Sequence, residues 1–215
     1  MYELVVDLRS GVDESLFNET IENFLEKSSA RAKYSQLKSL GKFDLVIDGG
    51  VNDGQELPLL FELLREGGEY HGFEPNNEDY KALIESELTT PFGRKVKFHN
   101  EALWSEVTKL KFSEHLGGTS HFSTDIGVGT KTRDINAVTL DDKFRNVENK
   151  YVLLKLDVEG AELEALKGGK VFFERNQVSF AVSMYHRASD LAELPQFFMS
   201  LSTYYNFQVE INNAT

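Results

Sequence analysis

Phe43-Asp44-Leu45-Val46-Ile47-Asp48-Gly49-Gly50-Val51-Asn52-Asp53-Gly54 is a strand that runs into a tight turn. Phe43 to Ile47 are mostly apolar and β-prone, the composition of a strand buried on both faces, and an acid and three glycines follow at once. Beyond the turn, Leu57, Leu60, Phe61 and Leu64 recur at helical spacing, so the turn joins a strand to a helix N-terminus. Glycines let a backbone approach a ligand closely, and a helix start offers unpaired N–H groups and a positive dipole end.

Working outward, strand patterns recur at Tyr70 to Glu74, Val96 to Asn100, Tyr151 to Asp157 and Val178 to Tyr185. Helical patterns separate several of them, at about Gln55 to Arg65, Asn77 to Glu87, Ala161 to Glu174 and Asp190 to Leu201. Repeated βα units predict an α/β fold with a doubly wound, mostly parallel sheet covered on both faces. Tyr205 to Ile211 can add a last strand. Between Ala102 and Asp141 the rhythm breaks: two short strands, Lys109 to Ser113 and Ala137 to Leu140, flank a loop with Gly117, Gly118, Gly127 and Gly129. A Gly-rich insertion of this kind over residues 113–130 is expected to lie over a ligand site. Residues 1–42 differ in texture, with Leu16, Phe17, Ile21, Phe24 and Leu25 on one helical stripe and a shorter helix around Tyr34, Leu37 and Leu40. They read as an N-terminal helical extension or lid on a main domain over 43–215.

With 215 residues and 40% hydrophobic content, the chain can bury one substantial core. A net charge of -12 argues against nucleic acid as the main partner, because phosphate neutralisation needs a basic footprint. Without cysteine there is no disulfide or thiolate chemistry, and no apolar run is long enough for a membrane span. A soluble, cytoplasmic protein with no membrane partner is the expectation.

In open α/β sheets ligands lie beyond the carboxyl ends of the strands. Asp48, Glu74, Asn100, Asp157 and Tyr185 fall at such ends. Glu74, closing the second strand, suits the two hydroxyls of an adenosine ribose. The turn lacks the G-x-G-x-x-G spacing of a dinucleotide site, and no G-x-x-x-x-G-K-[ST] phosphate loop exists. Without a pyrophosphate to bind, S-adenosylmethionine is the remaining well-known ligand for this pattern.

Several segments resemble one family. Asp48-Gly49-Gly50-Val51-Asn52-Asp53-Gly54 is similar to the D-x-G-A-N-x-G turn of the FkbM-type methyltransferases, Phe73-Glu74-Pro75-Asn76 to their F-E-P-n segment, and Leu154 to Glu162 to their K-x-D-v-E-G-a-E signature. Ala102-Leu103-Trp104, Val138 to Asp142, and Tyr185-His186 with Asp190-Leu191 extend the resemblance. Val51 replaces the usual Ala, and Gln208 to Ile211 replaces the family's basic and aromatic ending. The resemblance implies a Rossmann-like class I methyltransferase fold with N-terminal helices added. It also implies that Gly50, Asn52 and Gly54 face the methionine part of the cofactor, with Asp48 holding the turn. Glu74 would take the ribose, Asn100, Glu101 and Ala102 would border the adenine, and Asp157 would sit nearest the methyl-transfer point.

For transfer to a hydroxyl, the enzyme must align the acceptor and remove its proton. His186, after an apolar strand, is the leading base, with Asp157 and Glu159 as alternatives. A carboxylate pair with His186 also offers ligands to a divalent cation such as Mg²⁺, which would make Asp157, Glu159 and His186 the metal set. Lys155, on the strand face of Asp157, reads as the buried partner of a nearby acid, and Glu159, Glu162 and Glu164 read individually as helix-start acids. Two functions follow: an S-adenosylmethionine-dependent methyltransferase acting on a hydroxyl of a small molecule or saccharide, or a non-catalytic adenosine-ligand module on the same fold.

Overall fold

The computed structural model describes residues 2–7, 41–86, 95–113, 121–122, 132–201 and 206–211. In chain order the strands are β1 (Tyr2–Asp7), β2 (Phe43–Gly49), β3 (Leu64–Phe73), β4 (Lys95–His99), β5 (Ala102–Leu103), β6 (Thr108–Ser113), β7 (His121–Phe122), β8 (Thr132–Val138), β9 (Tyr151–Leu156), β10 (Gln177–Ser183) and β11 (Asn206–Ile211). The helices are α1 (Leu57–Glu62), α2 (Asn77–Glu85), α3 (Leu140–Lys143), α4 (Glu162–Lys167), α5 (Lys170–Arg175) and α6 (Asp190–Leu201).

The main sheet runs β11-β1-β10-β9-β2-β3-β4. Its centre, β10-β9-β2-β3-β4, is parallel throughout. Alternate residues explain why it is covered on both faces. Ile47, Leu154 and Val182 join Phe172, Phe173, Phe180 and Phe198 in one core, while Val46, Leu153 and Ala181 join Leu57, Leu60, Phe61, Tyr70 and Leu83 in the other. The expected α/β architecture is therefore present, and helices α4 to α6 supply one layer while α1 and α2 supply the second.

From β2 the chain proceeds to β3 and β4 on one side, and later to β9 and β10 on the other. The order reverses between β2 and β9, so the crevice of an open sheet opens at the carboxyl ends of those two strands. Asp48 stands opposite Lys155 in that register, and Gly49 opposite Leu156.

Several elements differ from the sequence expectation. Tyr2–Asp7 is a strand paired antiparallel to both β10 and β11, so the amino-terminal stretch enters the main sheet before the 43 boundary. Only three apolar residues, Leu4 to Val6, carry that strand, too short a run to register as a pattern. The helices expected near Leu16 to Leu40, and the glycines of the 113–130 insertion, lie outside the described residues. Around that insertion a second sheet forms, ordered β5-β8-β6-β7, where two strands were expected. The helix expected over Ala161 to Glu174 is broken into α4 and α5 at Gly168-Gly169, each glycine costing about 1 kcal/mol in a helix interior. Strand β3 begins six residues earlier than Tyr70, but its pairing with β2 is irregular between Phe43 and Leu45, and continuous register starts at Glu69. Among the described residues no helix is long and apolar enough to cross a membrane.

The β3–β4 pair carries two histidines whose environment sets an acid limit. His71 Nδ1 lies 3.1 Å from His99 Nε2, and His99 stacks on Phe73 with centroids 4.5 Å apart. Burial, reinforced by Lys97, pushes His71 down to about 4, and burial with Lys143 pushes His99 down to about 3. Both folded values lie below the unfolded value near ~6.5, so the unfolded chain takes up these protons first. Their contribution is therefore present above that pH and is lost as pH falls toward the folded values. After discounting for partial exposure, we expect about 2 kcal/mol less stability at pH 5 than at pH 7.5 from the pair. Denaturant midpoints across that range should decline less steeply in a His71→Gln/His99→Gln variant; an equal decline would remove these side chains as the cause.

Candidate active site

The turn after β2 is held in shape by its own hydrogen bonds. Gly50 (φ 80°), Asn52 (φ 53°) and Gly54 (φ 81°) take left-handed backbone. Gly50 N–H donates to Phe73 O at 3.0 Å, Asn52 N–H to Glu74 Oε2 at 2.8 Å and Gly54 N–H to Val51 O at 3.1 Å. Where helix α1 begins, Gln55 N–H donates to Asp53 Oδ1 and Leu57 N–H to Gly54 O. The sequence suggested unpaired N–H groups at this corner; those of Gly50, Asn52, Gly54, Gln55 and Leu57 are engaged internally.

Glu74 fixes the opposite wall. Its two oxygens receive Asn52 N–H and Asn76 N–H at 2.8 and 2.7 Å, and the residue is 6% exposed. Burial pushes its carboxyl up from the usual range, against the pull of those two amides. Asn100 turns its amide onto the Glu74 and Pro75 carbonyls at 3.0 and 3.2 Å, so it braces the segment on which Glu74 sits. Glu101 pairs with Lys143, and Ala102 is buried in the second sheet.

A buried polar cluster lies under the turn. Asp48 is enclosed; Tyr70 OH donates to its Oδ2 at 2.6 Å, and Lys155 Nζ stands 3.0 Å from its Oδ1. The same ammonium lies 3.3 Å from Glu56 and donates to Gly50 O at 2.9 Å. Burial would lower the Lys155 pKa, but Asp48 and then Glu56 outweigh it, so the ammonium stays charged. Asp48 thus acts on the turn from below, through Lys155 and the Gly50 carbonyl.

On the other side of the crevice, Asp157 follows β9 with its N–H donating to Gly49 O at 3.0 Å. Tyr185 OH donates to Asp157 Oδ1 at 2.9 Å. The next residues turn sharply, with Glu159 at φ 55°, a left-handed conformation uncommon for a non-glycine side chain. His186 then stands among three acids: its Nε2 is 3.5 Å from Asp157 Oδ1 and 3.4 Å from Glu159 Oε2, and its Nδ1 is 2.9 Å from Glu162 Oε1. Burial lowers the imidazole pKa, yet the three carboxylates, Glu162 foremost, raise it on balance.

The structure therefore brings Asp157, Glu159 and His186 together, as the sequence suggested, and adds Glu162. That residue is fully buried; its Oε1 accepts Val158 N–H at 3.0 Å and Gly160 N–H at 3.3 Å, folding back over the start of α4. The signal was present in the sequence as a Glu opening a helix just after a glycine, the position from which a side chain reaches back to preceding amides. Glu164, by contrast, receives Ser105 OH and Lys167 and serves the local surface.

The comparisons with known proteins bear on this arrangement. A family model described as the methyltransferase FkbM domain matches residues 48–209. Among curated proteins none matches. The crystal structure of methyltransferase FkbM from Methylobacillus flagellatus KT is similar in fold, with a TM-score of 0.54 at 20% sequence identity. The match covers 84% of this chain and 44% of that one, so this chain spans less than half the length of that relative.

Proposed function

The chain belongs to the FkbM methyltransferase domain family, and on that premise we propose that it transfers the methyl group of S-adenosylmethionine to a hydroxyl oxygen of a small molecule or saccharide. When bound, this cofactor supplies a methyl group on a sulfonium sulfur, an electrophile that needs no further activation. The residues present fit it by their chemistry. A ribose offers two hydroxyl donors and a sulfonium a positive charge, and the crevice answers with the Glu74, Asp157 and Glu159 carboxylates.

In this reading Gly50, Asn52 and Gly54 line the methionine part, with Asp48 fixing the turn through Lys155. Glu74 accepts the ribose hydroxyls, and Asn100, Glu101 and Ala102 border the adenine. Asp157, Glu159 and His186 face the acceptor and receive its proton. An acceptor hydroxyl would lose its proton to this cluster while its oxygen took the methyl group that the cofactor would supply. The single observation that carries the reading is the junction of the two halves: Asp157 N–H bonds to Gly49 O, so the cofactor turn and the acid cluster share one backbone contact.

Calorimetry with S-adenosylmethionine and S-adenosylhomocysteine tests the first half. We expect both to bind, and Glu74→Ala to weaken binding at least ~10-fold by removing a charged acceptor of two hydroxyls. Normal affinity in that variant would undo the ribose assignment. Methylated product from a panel of saccharides and hydroxylated metabolites tests the second half, and its absence with binding intact would favour the non-catalytic module.

A further inference from the structure

The acid cluster contains more than acceptor-side proton chemistry requires. Asp157, Glu162 and His186 bring one ligand atom each to within 4.8 Å of one another. Glu162 is 0% exposed, and among the described residues its Oε2 has no hydrogen-bond partner. A buried carboxylate oxygen without a donor is costly, and native structures seldom leave one. Both ring nitrogens of His186 are likewise buried without an aligned hydrogen bond, the 2.9 Å contact of Nδ1 with Glu162 Oε1 being off the direction of a ring N–H.

We infer that Asp157, Glu162 and His186 form a binding site for a divalent cation of the Mn²⁺ type. Two carboxylate oxygens and an imidazole nitrogen suit ions at the border between the oxygen-preferring and nitrogen-preferring classes. The outer contacts that orient such ligands are also in place. Val158 N–H and Gly160 N–H hold Glu162 Oε1, the oxygen that also lies 2.9 Å from His186 Nδ1, and Tyr185 OH holds Asp157 Oδ1. The ligand set differs from the one the sequence suggested. Glu159, with its side chain 35% exposed, stays on the open side of the cluster, and the enclosed Glu162 takes its place.

Three protein ligands leave coordination positions for an acceptor hydroxyl. That use of the site rests on the methyl-transfer reading, whereas the site itself does not. A cation there lowers the pKa of a hydroxyl oxygen bound to it. The displaced proton then goes to Glu159, and His186 serves as a ligand rather than a base.

Electron paramagnetic resonance of free Mn²⁺, titrated into the full chain without cofactor, tests the site directly. The expected result is one ion bound per chain, with Glu162→Gln weakening it at least ~10-fold and Glu164→Gln, on the same helix but outside the cluster, leaving it unchanged. His186→Gln provides a second variant should Glu162→Gln fail to fold, and the same loss is expected. No bound ion in the unmodified chain, or equal affinity in the folded variants, would overturn the site and leave His186 as an ion-paired imidazolium. Calorimetry with S-adenosylmethionine in the presence of a chelator separates the two claims: cofactor binding there together with no Mn²⁺ binding would remove the cation site alone.

Discussion

Replacing Lys155 with Met is expected to destabilise the protein by about 3–5 kcal/mol, the usual cost of removing one partner from a buried ion pair. Methionine fills much the same volume, so the loss is electrostatic. Lys155 is the cation facing Asp48 at 3.0 Å and Glu56 at 3.3 Å, and it ties the Gly50 carbonyl to β9. Without it, among the described residues a carboxylate that is 1% exposed retains only the Tyr70 hydroxyl as a donor. The change also frees the Gly50 peptide, so cofactor affinity should fall along with stability. For a chain of this size, the stability loss corresponds to roughly 6–20 °C in melting temperature. A double-mutant cycle with Asp48→Asn separates pairing from packing. If the pair is the cause, the double variant should be more stable than the sum of the single losses by about 1–3 kcal/mol. Strict additivity, or a Lys155→Met protein as stable as the parent, would show that this cluster does not hold the turn.

The sequence made the parallel centre legible because each of its strands is buried on both faces. Apolar runs such as Phe43 to Ile47 and Tyr151 to Leu154 have no other economical explanation, and their ends placed Asp48, Glu74 and Asp157 around one crevice. Lys155 was also readable, since a lysine inside such a run must meet an acid, and the strand register puts Asp48 directly opposite. What stayed hidden depended on contacts remote in sequence. Strand β1 exists because β10 and β11 both offer it hydrogen bonds, which Leu4 to Val6 alone do not announce. The occupied amides of the Gly50 turn depend on Phe73 O and Glu74, so a local reading saw free donors where the fold supplies acceptors. Glu162 was read from its local place alone for the same reason. An acid at a helix start has an adequate local explanation in the dipole, and its contact with His186 arrives from the end of β10, remote in sequence.

Gly50→Ala is expected to be the most damaging small change at the site. Its φ of 80° costs an L-residue about 1–2 kcal/mol, and a Cβ built there would lie 1.9 Å from Asp157 O and 2.9 Å from Asp157 C. Neither atom belongs to a side chain that can rotate away. The carboxyl ends of β2 and β9 must therefore separate, which strains the Asp157 N–H to Gly49 O bond at the point where the crevice opens. Adding overpacking of about 1–3 kcal/mol gives a total near 2–5 kcal/mol, with loss of S-adenosylmethionine binding. Gly67 supplies the control, because its φ of 72° is similar but nothing lies within 4 Å of its would-be Cβ. Gly67→Ala should show the backbone cost alone and keep normal cofactor affinity. Thermal melts and calorimetry on the two variants, side by side, isolate the contact between the turn and Asp157. If Gly50→Ala matches Gly67→Ala in both measurements, the two halves of the crevice are not coupled through that contact, and the junction on which the catalytic reading depends would have to be abandoned.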